Sequence, residues 1–198
     1  MAAILQSLQK TILAGFVLLI AIVLVVGAVT GQFVKVDHAW GAFVMRWLHV
    51  MSGVMWIGLL WYFNFVQIPT VPKIEPAEHR AAITKFIAPN ALFWFRHAAA
   101  ATVATGLLLA FMNGYIVQAL TLRPGTIAIG IGMWLALFMA ANVWFVIWPN
   151  QKKALGLVEA TPEAKAAAGR LAMLASRTNT ALSIPMLFCM VAQQNAGL

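Results

Sequence analysis

The chain has 198 residues, 63% of them hydrophobic and 9% charged, where a soluble domain carries about 25% charged residues. That excludes a soluble globular protein. The net charge of +8 comes from basic residues that flank apolar spans, so it speaks for topology and lipid headgroups and against a nucleic-acid partner. A single cysteine, Cys189, excludes an internal disulfide and the CxxCH attachment of a c-type haem.

The N-terminal apolar run has no signal-peptide pattern and reads as a retained helix. Thr11 to Val34 is uncharged and forms the first expected span. The second covers about 42–68 and contains RWLHVMSGVMWIGLLWYFNFVQIP, with no charge between Arg46 and Lys73. Crossing a bilayer core takes about 20 such residues. His49, Ser52, Gly53 and Trp56 share one face of this helix. A histidine beside small residues and a flat aromatic suits a planar cofactor such as haem. It suits equally a close helix contact with the imidazole hydrogen-bonded across it. Pro69 and Pro72 are expected to end the span.

Lys73 to Pro89 reads as a short amphipathic helix on the inner membrane surface, with Ala82, Ile83, Phe86 and Ile87 at helical spacing. The other reading makes it the polar start of the third helix. That third span is expected over about 90–112. In it His97, Ala101 and Thr105 stack at four-residue steps, so a second histidine faces small residues. The fourth span covers about 126–148 and ends in the tryptophan-rich ANVWFVIWPNQKK, which fits a membrane–water boundary. Thr161, Pro162 and Glu163 form a helix start, leading into a fifth span over about 170–194, where Pro185 predicts a kink.

The expected fold is therefore an all-α bundle of five transmembrane helices in a single membrane domain over residues 1–198, with a short amphipathic helix on the inner surface. With the N-terminus in the cytoplasm, ten lysines and arginines fall on the inner side and three, Lys35, Arg46 and Arg123, on the outer. That bias sets the orientation and puts the C-terminus outside. The expected location is the inner membrane of a bacterium.

Three motifs, HVMSGVMWIGLLWYFNFVQIP, ANVWFVIWPNQK and SRTNTALSIPMLF, resemble the N-terminal membrane domain of the PuuD-type bacterial urate hydroxylases, in the same order. The start of the second span is more loosely similar to CopD- and HemJ-type membrane proteins, in which b-type haem is expected. The resemblance implies a membrane module that exchanges electrons with a cytochrome c or with subunits of a respiratory or oxidase complex. A second copy of the chain is a further expected partner.

His49 and His97 are the histidines within or at the edge of spans, and both are candidate haem ligands. Measured from Arg46 and Arg96 as the membrane edges, they stand about 20 Å apart in depth, too far for one iron. Separate sites would pair His38 with His49 and His79 with His97, or draw on Met51, Met55, Met133 or Met139. Arg96, Arg177 and Asn179 are candidates for haem propionates or an anionic substrate, and the arginines equally for lipid phosphate. The rival readings are a cofactor-free structural subunit and a urate hydroxylase-like enzyme. No catalytic residue is assigned: HExxH, a carboxylate pair and a serine–histidine–acid set within one span are all missing from the sequence.

Overall fold

In lipid a backbone must satisfy its own hydrogen bonds, and a chain this apolar does so as helix. The computed structural model describes residues 2–195; it is 84% helix, with no strand among them. The order is α1 (Ala2–Leu5), α2 (Leu8–Thr30), α3 (His38–Trp61), α4 (Ile68–Thr70), α5 (Arg80–Ala82), α6 (Ala88–Met112), α7 (Ile116–Leu120), α8 (Ile127–Asn142), α9 (Trp148–Ala154) and α10 (Pro162–Ala192). Four stretches are long and apolar enough to cross a membrane: Leu8–Thr30, His38–Lys73, Ala77–Met112 and Ile127–Ala154. The chain divides into two compact units, the first ending at Phe43 and the second beginning at Val44.

In the first unit α2 ends at Thr30, before the apolar run does, because Gly31 takes a left-handed conformation (φ 67°) and caps the helix.

The prolines of the spans behave differently from expectation. Pro69 does not end the second helix, which runs on to Lys73. A proline lacks an N–H and crowds the carbonyl four residues back. Here the helix widens ahead of it. The turns Tyr62–Gln67, Ile83–Ile87 and Val143–Ile147 are π-helical, and Pro69, Pro89 and Pro149 follow each by two residues. The residue just before each proline donates to the carbonyl five residues back: Ile68 to Phe63, Ala88 to Ile83, Trp148 to Val143. After two of these prolines an asparagine side chain takes up a further carbonyl, Asn90 to Phe86 (2.9 Å) and Asn150 to Val146 (2.8 Å). Pro185 sits within α10 with no such turn ahead of it.

The segment before Pro89 is likewise not a separate surface helix. From Ala77 it runs continuously into α6, which makes it the polar start of the third span. Arg80 anchors that start, bonding the carbonyls of Pro72 and Ile74 and pairing with Glu75.

The second unit packs a core from Trp56, Leu60 and Phe63, Leu92, Phe95 and Ala99, Met139, Val143 and Ile147, and Met186. The Phe63 and Phe95 rings meet edge to face at 5.7 Å. α10 is long enough to span but carries Arg170, Arg177, Asn179 and Ser183. Its polar groups point inward as cross-helix ties. Asn179, fully buried, donates to the Met139 carbonyl (2.9 Å) and accepts from Asn142 (2.8 Å). Asn64 donates to Ser176 (2.8 Å) and Trp61 to Ser183 (3.1 Å). Where water is scarce, such ties are worth roughly 0.6–2 kcal/mol each.

Candidate functional site

A cavity of about 630 Å³ lies within the second unit, lined by parts of α3, α6, α8 and α10. Its walls are almost wholly aliphatic, with the sulfurs of Met133, Met186 and Met190 among them. The size falls in the range of small-molecule and cofactor sites, about 300–1,000 Å³. Four polar side chains that line it define its chemistry: His49, Trp56, Arg46 and Tyr115.

His49 is half-buried, and its Nδ1 lies 2.9 Å from the carbonyl oxygen of Thr102 and 3.3 Å from Thr105 Oγ1. A carbonyl can only accept, so Nδ1 carries the proton. Thr105 spends its own hydrogen on Ala101 (2.6 Å) and is left to accept. The tautomer is thereby fixed, and Nε2 keeps a free lone pair in a ring that lines the cavity. Gly106 allows this arrangement. A Cβ at that position would lie 2.7 Å from His49 Cε1 and 3.0 Å from Nδ1, so only glycine lets the ring lie against α6.

Trp56 is fully buried and its indole N–H has no partner. Buried donors are nearly always paired, and this one lines the cavity. Gly53 lines it too, with a Cβ there 3.8 Å from Thr102 Cγ2. At the polar end stand Arg46, Gln194 and Asn195, all exposed. Arg46 Nη1 donates to Gln194 Oε1 at 3.0 Å. Burial pushes the Tyr115 phenol up, and the Arg46 charge acts against this more weakly, so the phenol stays protonated at neutral pH.

Of the expected site residues, His49, Gly53 and Trp56 come together on this cavity, and Ser52 does not line it. His97 is elsewhere. It is exposed, bonds the Phe93 carbonyl through Nδ1 (2.7 Å), and packs against the Phe93 and Trp144 rings. The depth estimate was too large, because α3 begins well before Arg46 and Ala77–Met112 well before Arg96. His49 reaches Thr102, five residues beyond His97, or about 8 Å of helix rise. The two histidines are separated by facing, more than by depth.

Arg96, Arg177 and Asn179 are also absent from the cavity lining. Arg96 stacks on the Trp148 ring at 3.9 Å, Arg177 is exposed, and Asn179 is a structural tie. His38 lies in the first unit, and His79 is exposed in a short 3₁₀ turn. Of the candidate methionines Met133 lines the cavity, Met139 is buried in the core, and Met51 and Met55 are exposed. No group of three or more His, Cys, Asp or Glu suited to a metal ion occurs among the described residues. Sequence reasoning missed Thr102, Gly106, Tyr115, Met186, Met190 and Gln194. The small residues Thr102 and Gly106, four apart, were the one legible signal.

A family model described as urate oxidase N-terminal matches residues 96–196, just over half the chain. The match takes in Thr102, Gly106, Tyr115 and Gln194. No curated protein matches the chain. No solved structure matches it.

Proposed function

Because the chain belongs to the urate oxidase N-terminal family, we propose that it is a membrane-embedded electron-transfer module that holds a b-type haem in the His49 cavity. The observation that carries this reading is the state of His49. Nδ1 is committed to Thr102 and Nε2 is left free beside an apolar cavity of cofactor size. A metal-ligating histidine almost always donates its other ring nitrogen in this way. His49 would hold the iron, with a sulfur of Met133, Met186 or Met190 available in the walls. When bound there, haem supplies a one-electron couple. The chain's own contributions are to orient the imidazole, to keep water out with aliphatic walls, and to offer the unpaired Trp56 N–H as a donor.

The partner is a cytochrome c or a subunit of a respiratory complex. The setting is the bacterial inner membrane, with α10 as a fifth span, the N-terminus in the cytoplasm and the C-terminus outside. The basic bias supports this orientation. A periplasm-dependent reporter fused after Leu198 is expected to be active; activity of a cytoplasm-dependent reporter instead would refute the five-span topology.

The test of the cofactor is an absorption spectrum of the purified protein. A Soret band with sharp reduced α and β bands is expected. A protein without these bands that takes up no added haem is a cofactor-free subunit, and saturable urate binding by it would make the cavity a purine site.

A further inference from the structure

The expected propionate partners, Arg96, Arg177 and Asn179, lie off the cavity, and a different cation lies on it. Arg46 precedes His49 by three residues, so the two share a helix face, about 4.5 Å apart in rise. Both line the cavity. No carboxylate side chain lines it, and the ion pair Glu75–Arg80 is the one found among the described residues. The cavity thus carries an uncompensated positive charge at its polar end.

This charge is also held in place. Gln194 takes one guanidinium hydrogen through Oε1. Its neighbour Gln193 ties the end of α10 to the start of α8, donating to the Gly125 carbonyl (2.8 Å) and accepting from the Ile129 N–H (3.2 Å). Gln194 is therefore a fixed acceptor. Nη2 and Nε of Arg46 make no hydrogen bond among the described residues. A guanidinium oriented by one neutral partner, with its other donors open, matches the bidentate geometry of a carboxylate. The protonated Tyr115 phenol beside it adds a neutral donor.

We propose that Arg46, oriented by Gln194, is a carboxylate-recognition site at the polar end of the cavity, and that it pairs with the propionates of the bound haem. This rests on the haem reading. It fixes the orientation of the macrocycle, with its acid edge toward Arg46 and its apolar edges along the aliphatic walls.

The experiment titrates the purified, haem-depleted protein with haem b and with its dimethyl ester, read by the Soret band. Wild type is expected to bind the diester about tenfold more weakly than haem, the scale of one charge-assisted hydrogen bond. Arg46→Gln should lose about tenfold for haem and nothing for the diester. Its reduced α band should not move, because His49 ligation is intact. Arg46→Lys should recover part of the loss. Retained diester affinity serves as the folding control for both variants. Equal wild-type affinity for the two ligands, or an Arg46→Gln loss of the same factor for both, overturns the carboxylate site while leaving the haem reading standing. A wild-type protein that takes up neither ligand removes the haem reading and this site with it.

Discussion

His49→Ala is expected to abolish high-affinity haem uptake while the protein still inserts and folds. The structural cost should be small. The Thr102 carbonyl that His49 engages lies inside α6 and keeps its helical partner, so the variant leaves no buried acceptor orphaned. The loss of stability should stay below about 1 kcal/mol. The loss of the iron ligand is not compensated, since His97 faces away from the cavity. Gly106→Ala tests the same geometry without touching the histidine. Its Cβ would fall 2.7 Å from Cε1, so the ring must swing off α6 and give up the bond that sets its tautomer. A weakened and spectrally shifted haem complex is expected, intermediate between wild type and His49→Ala. In the haem-free protein, nitrogen NMR of the imidazole should show the proton on Nδ1 in wild type and a tautomer mixture in Gly106→Ala. An unaltered haem spectrum in His49→Ala would remove His49 as the ligand.

The second large effect should come from Gly130→Ala. Gly130, on α8, lies directly against the backbone carbonyl of Ala119 in α7, and a Cβ there would also stand 2.7 Å from Leu122 Cδ2. A side chain can rotate away from a methyl group; a carbonyl held in a helix cannot. Ala119 is fully buried and packs with Ala110, Ile129 and Met133 in a small core. Forcing α7 from α8 should cost about 1–3 kcal/mol and, because Tyr115, Ile129 and Met133 line the cavity, should loosen ligand binding too. Gly15→Ala is the matched control, with nothing within 4 Å of the added methyl; it should be neutral or slightly stabilising. Denaturant titration in detergent reads both. Equal stability of the two variants would mean that the α7–α8 contact is looser than described.

The charge-free stretches made the helices legible, because lipid leaves a backbone few other choices. The face holding His49, Gly53 and Trp56 was legible for a related reason: α3 keeps regular geometry through Trp61, so spacing translates directly into direction. Beyond Trp61 it does not. Asn64 and Gln67 lie in a π turn, and the proline that produces it was read as a stop. What lies across the cavity was not legible at all. Arg46 meets Gln194 across 148 residues and His49 meets Thr102 across 53. No periodicity within one helix encodes such a pairing. His97 misled because a histidine over small residues looks the same in sequence whether its face turns inward or toward lipid.

The three wide turns carry a cost for any chain that loses a residue within them. A helix advances about 100° per residue, and each wide turn holds one residue more than an α-helical turn would. A single deletion between Val143 and Ile147 would leave a helix still apolar and still long enough to cross the bilayer. It would also turn everything after it by about a quarter of a revolution or slightly more. Trp148 would then point away from Arg96, whose guanidinium now rests 3.9 Å from its ring, and Pro149 would again crowd the carbonyl behind it. In these spans the number of residues encodes the direction of the chain as well as its length.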